Sequence, residues 1–130
     1  MLQCDSRSTG HLARRWLAPG GYWHIAVHGM APSTSLSAFD GSFGAGLLEA
    51  MAQCVATQAP VLLVAADVPY PEPLHALRPI SDTFAVALLL GPGTAMRLSL
   101  QAETTVTPCG HAGLDAVCSA IPAARALPLL

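Results

Sequence analysis

The sequence predicts an α/β domain, a mixed sheet carrying a buried central helix. Three observations carry that expectation. Residues Ala31 to Ala66 divide into a short apolar segment ending at Phe39, a helical pattern opening at Asp40, and an unbroken apolar run from Val61. Units of this strand–helix–strand kind lay their strands parallel, with the helix packed across them. Within the helical pattern, Phe43, Leu47, Ala50, Met51, Cys54 and Val55 recur at steps of three and four, one apolar stripe over about residues 40–57. Further on, Phe84 to Leu90 and Met96 to Glu103 flank Gly91-Pro92-Gly93-Thr94, the pattern of a C-terminal β-hairpin over about 84–103.

Taken in order, the chain opens without clear patterning. Ser6, Ser8, Thr9 and Gly10 read as loop, and His11 to Leu17 allows a helical turn or two. The stretch Gly21 to Val27 is aromatic and branched, which favours a strand, although Trp23, Val27 and Met30 sit at helical spacing. Gly29 to Ser33 is a turn leading into Thr34 to Phe39. Asp40 suits the helix N-cap, where a carboxylate accepting from amides further on stabilises by about 1 kcal/mol. Gly41, Gly44, Ala45 and Gly46 leave the first turns nearly bare, at roughly 1 kcal/mol per glycine. A helix keeping them packs closely against backbone or leaves space for a ligand. Ala59-Pro60 ends it.

Val61 to Ala66 does not alternate, the mark of a strand covered on both faces. Asp67 to Asp82, with four prolines, is an irregular loop. The second hairpin strand alternates Met96, Leu98 and Leu100 with Arg97, Ser99 and Gln101, so one of its faces is solvated. Thr104 to Ser119 shows no pattern, and Ala120 to Leu130 reads as a terminal helix or an apolar tail that docks elsewhere.

Composition narrows the function. The 130 residues make one domain, 52% hydrophobic and 11% charged, with no lysine and a net charge of -2. Such a balance gives no electrostatic footprint for nucleic acid. Large apolar content with little charge leaves surface that a partner chain would cover. No apolar run approaches the roughly 20 residues of a membrane span, and no signal-peptide pattern precedes the domain, so a cytoplasmic location is expected. Cys4, Cys54, Cys109 and Cys118 are irregularly spaced and read as free thiols.

The strand-to-helix turn at Phe39-Asp40-Gly41 is where reactive groups sit in such folds, because amides converge there and the helix dipole favours negative charge. Here the turn holds an aspartate. Ser37 and Ser42 flank it without a nearby base, which leaves a serine a poor nucleophile. Cys54 falls mid-helix on the apolar stripe, as a small core residue does. His24 and His28 lie four apart as a possible metal pair, but no third ligand is evident. Cys109, His111 and Cys118 match no zinc spacing. No metal site is expected.

Ala18-Pro19-Gly20-Gly21-Tyr22-Trp23-His24-Ile25-Ala26 and Met30-Ala31-Pro32-Ser33-Thr34-Ser35-Leu36-Ser37-Ala38 resemble the N-terminal half of β-ketoacyl synthases. The likeness is to the divergent branch of chain length factors from bacterial aryl-polyene-type pathways. It continues through Gly46 to Ala50, Pro60 to Ala65, Asp67 to Pro71 and Phe84 to Leu90, and again through Pro122 to Leu130. The resemblance implies a partial thiolase-like half-fold, helical at Tyr22 to Val27, with the Asp40 helix as its buried centre. It divides the chain into an unmatched segment (1–17), a β-ketoacyl synthase-like N-terminal domain (18–103), and an irregular segment with an apolar tail (104–130). The family's first strands and helices are missing before residue 17, and Thr104 to Ser119 is degenerate, which implies a truncated product or a start lying upstream.

A ketosynthase needs a cysteine at this helix N-terminus, where the dipole lowers the thiol pKa and amides hold the oxyanion. Counting from Pro32-Ser33, the resemblance puts that position on Asp40, with Phe39 or Gly41 one residue away. The decarboxylating histidines of the family belong to its C-terminal half-fold. The implied role is a non-catalytic subunit that pairs with an active ketosynthase as a heterodimer, in fatty-acid or polyketide elongation, meeting its acyl carrier protein and using no cofactor. Phe43, Leu47 and Met51 are candidates for core or for the wall of the acyl tunnel. An acyltransferring or thioester-processing enzyme using Ser42 or Cys54, and a fragment without function, are the alternatives.

Overall fold

The computed structural model describes residues 21–100 and 107–130, and readings made for residues 1–20 and 101–106 lie outside them. The chain divides into two units, Met1–Leu36 and Ser37–Leu130. In the first, residues 21–27 form a helix (α1), as the family resemblance implies and against the strand propensity of their aromatic and branched side chains. His28 ends it in the left-handed region (φ 50°). The Gly29 amide then donates to the His24 carbonyl at 3.0 Å, and His24 Nδ1 donates to the Gly29 carbonyl at 3.1 Å. A local bond therefore occupies one nitrogen of the His24–His28 pair.

The second unit begins with a 3-10 turn, Phe39–Gly41, that feeds α2, Ser42–Thr57. Phe43, Leu47, Ala50 and Cys54 are the buried stripe, spaced as helical periodicity requires. Val55, expected on that stripe, is exposed, since it falls past the stripe's edge. Gln58, left-handed at φ 53°, closes the helix ahead of Pro60. Strands β1 (Val61–Asp67) and β2 (Phe84–Leu90) follow, and a single turn, α3 (Leu74–Leu77), lies in the loop between them.

The two strands pair antiparallel, Val61 opposite Leu90, Val64 opposite Ala87 and Asp67 opposite Phe84. This corrects three expectations. Residues 31–38 form no strand, so no parallel partner exists across α2 in the described structure. That segment alternates serines with few apolar residues and has little to bury. Residues 91–100 likewise form no strand, and β2 takes β1 as its partner instead of closing a hairpin with Met96 to Leu100. Pairing with β1 packs Leu63, Val86 and Leu88 against α2, a larger apolar gain than a half-polar strand offers. Finally, β1 is covered on one face only: its exposure alternates, and Leu62, Val64 and Leu89 face outward. An unbroken apolar run does not by itself reveal how many layers lie over it.

Residues after 107 supply what the sequence left unpatterned. Helix α4 spans Ala112–Ala120, and a 3-10 segment, Pro122–Leu129, follows. The apolar tail docks on its own chain. Ala126 is fully buried with Phe43 and Leu47, and Ala124 with Ile80 and Ile121. The Ala123 amide donates to Asp67 Oδ2 at 2.7 Å, tying the tail to the end of β1. The result is a small mixed helix–strand unit with helix and tail on one face of a two-stranded sheet.

Candidate functional site

The turn ahead of α2 is built by its own residues first. Phe39 adopts φ 54°, a conformation that costs a bulky residue of order 1 kcal/mol or more. The Ser42 hydroxyl holds it, accepting from the Ala38 amide at 2.9 Å and donating to the Phe39 carbonyl at 2.7 Å. Ser42 is thereby committed to the backbone. The helix N-cap is Gly41, without a side-chain cap bond. Asp40 is thus not the cap that its position suggests.

Its carboxylate goes elsewhere. Arg78 Nη2 donates to Asp40 Oδ1, and the Arg78 guanidinium carbon lies 3.5 Å from the centroid of the Phe39 ring. Arg125 reaches in from the tail, its Nη1 donating to the Asp40 carbonyl at 2.5 Å and its Nη2 lying 3.8 Å from Oδ2. Two cations therefore converge on one acid. Arg125 Nε is buried without a hydrogen-bond partner, so the exposed third of that side chain is its other atoms. Between these groups lies a cleft of about 230 Å³, bordered by Phe39, Asp40, Arg78, Ile80, Pro122 and Arg125. Among the described residues no cysteine or histidine lines it.

The cysteines sit elsewhere. Cys54 is buried, its Sγ donating to the Leu90 carbonyl at 3.7 Å. Cys109 lies ahead of α4, where its amide donates to Asp115 Oδ1 at 2.6 Å. Burial, then the neighbouring Cys118 and Asp115, push the Cys109 thiol pKa up, the opposite of what a nucleophile needs. Cys118 is buried. Among the described residues no group of three or more His, Cys, Asp or Glu is placed to hold a metal.

Phe43 and Leu47 lie in the core with Ala126. Met51 packs against that core and also borders an open groove of about 600 Å³, alongside Leu48, Val55, Met96 and Leu98. Of the bare helix start, only Gly46 approaches the sheet closely: a Cβ there would meet Leu63 Cδ1 at 3.2 Å, whereas Gly41 and Gly44 face open space. Sequence reasoning found the turn and missed Arg78 and Arg125. Their signal was indirect: in a chain without lysine, an arginine in a proline-rich loop and another in an apolar tail need an acid to face.

No helix among the described residues is long and apolar enough to cross a membrane. No curated protein and no solved structure matches the chain. The family model described as "Beta-ketoacyl synthase, N-terminal domain" matches residues 17–120. With that match covering most of its length, the chain belongs to the β-ketoacyl synthase N-terminal domain family, whose chemistry is fatty-acid and polyketide synthesis.

Proposed function

We propose that this chain is a chain-length-factor-like subunit: a ketosynthase relative that does not form the acyl thioester itself and pairs with an active ketosynthase. In this reading the second unit is part of a thiolase-like half-fold, residues 18–103 carry the family domain, and the complex works in the cytoplasm with an acyl carrier protein in aryl-polyene-type elongation. The observation that carries it is the turn ahead of α2. Phe39, Asp40 and Gly41 offer no thiol, and Arg78 engages the carboxylate at the position assigned to the nucleophile. A carboxylate held by a guanidinium is a weak nucleophile with no base beside it. Its left-handed neighbour Phe39, one residue earlier, is no better suited.

Two further features support the reading. The outward face of the sheet, with Leu62, Val64 and Leu89, is apolar surface of the kind that a partner covers. The groove beside Met51 is apolar enough to border an acyl chain. Co-expression with a ketosynthase tests the proposal. A stable heterodimer in which the acyl group resides on the ketosynthase alone is the expected result. A folded monomer that captures no ketosynthase, or mass shifts showing acylation of Ser42 or Cys54 by acyl-carrier thioesters, overturns it.

A further inference from the structure

We propose that the cleft between the Phe39–Gly41 turn, Arg78 and Arg125 binds a small oxyanion, a carboxylate or a phosphate, through the two guanidinium groups, with Asp40 as its internal competitor. The inference does not rest on the pairing with a ketosynthase. Its basis is the charge count and the geometry. Of the residues around the cleft, two are cationic and one is acidic. Asp40 satisfies Arg78 through Oδ1 but reaches Arg125 Nη2 only at 3.8 Å, beyond hydrogen-bond distance. Arg125 spends Nη1 on a neutral carbonyl. Two guanidinium groups thus share one carboxylate, which leaves a net positive charge beside the cleft, and the more loosely paired Arg125, whose Nε is buried without a hydrogen-bond partner, borders that cleft.

Guanidinium groups suit this task, because their fixed fork matches the paired oxygens of a carboxylate or phosphate. Stacking on the Phe39 ring holds the Arg78 guanidinium in one plane, which reduces the entropy lost when an anion binds. Among the described residues the remaining walls are Pro79, Ile80, Ala120 and Pro122, which are apolar, and Ser119, whose hydroxyl donates to the Asp115 carbonyl at 2.8 Å, and none of them is a competing acid. The half-exposed Asp40 carboxylate limits affinity in the native chain by repelling an incoming anion from the same two cations.

The test titrates the full chain with inorganic phosphate and with acetate at constant ionic strength, followed by calorimetry. The expected result is weak binding to the native protein, tightened at least about tenfold in Asp40→Asn, and weakened again by a similar factor when Arg125→Gln is added. Binding of phosphate alone assigns the site to phosphoryl groups, and binding of both assigns it to oxyanions in general. A second measurement needs no variant: phenylglyoxal modification of the native protein, mapped by mass spectrometry, is slowed by phosphate at Arg78 and Arg125 relative to Arg97. A folded Asp40→Asn protein that binds neither anion overturns the proposal, as does equal modification of the three arginines with and without phosphate.

Discussion

Arg78 holds Asp40 and Phe39 together: its guanidinium donates to the Asp40 carboxylate while its carbon lies 3.5 Å from the centre of the Phe39 ring. The pair joins residues 38 positions apart and fixes the start of α2 against the proline-rich loop. Half-exposed ion pairs contribute about 0.2–1 kcal/mol, and an exposed cation–π contact about 0.5–1. Arg78→Ala is therefore expected to destabilise the chain by about 1 kcal/mol. In a double-mutant cycle with Asp40→Ala, urea unfolding should give a coupling of about 0.5 kcal/mol or more. Strict additivity would show that the two side chains do not support each other.

Leu47 is buried where α2 meets the tail residue Ala126 and the inner face of the sheet. Leu47→Asp puts an unpaired carboxylate there and is expected to cost several kcal/mol, enough to abolish a cooperative melt. A melting temperature equal to that of the native chain would mean that α2 is not the centre of the unit.

The glycines at the start of α2 are expected to respond differently. A Cβ at Gly44 meets nothing within 4 Å, so Gly44→Ala should stabilise by up to about 1 kcal/mol through helix propensity alone. At Gly46 the new methyl group presses on Leu63 Cδ1, and the same gain is offset by moving that side chain. Denaturant midpoints of the two variants give the comparison. Equal stabilisation at both sites would show that the approach of α2 to β1 is loose.

Cys109 sets a dependence on alkaline pH. Its pKa is raised in the native chain, first by burial and then by Cys118 and Asp115. An acid whose folded pKa stands above its unfolded value keeps its proton longer when folded. Its contribution to stability is present below the ordinary thiol range and is lost as pH rises through and beyond that range. Stability should therefore fall on the alkaline side, less steeply in Cys109→Ser. Iodoacetamide should label Cys109 slowly until the pH exceeds the ordinary thiol value. Rapid labelling at neutral pH would contradict the raised pKa.

What was legible in the sequence depended on how local its cause is. The stripe from Phe43 to Cys54 and the apolar runs of β1 and β2 announced their elements, because side-chain period is set by backbone geometry. Helix α4 escaped notice because its nine residues make only about two and a half turns, too few for an apolar period to stand out in the sequence. The cap assigned to Asp40 failed for another reason. Arg78, 38 residues away, takes its carboxylate and Arg125, 85 residues away, takes its carbonyl, and no window around the helix start contains either.

The sequence by itself determined the helix, the two strands, the family, and the presence of a carboxylate in the turn at residues 39–41. Only the tertiary structure decided that the strands run antiparallel, that the tail closes over Phe43 and Leu47, and that two arginines meet Asp40. The division is physical. Periodicity and composition act within a few residues, whereas strand partners and ion pairs depend on which distant segments bury the most apolar surface together.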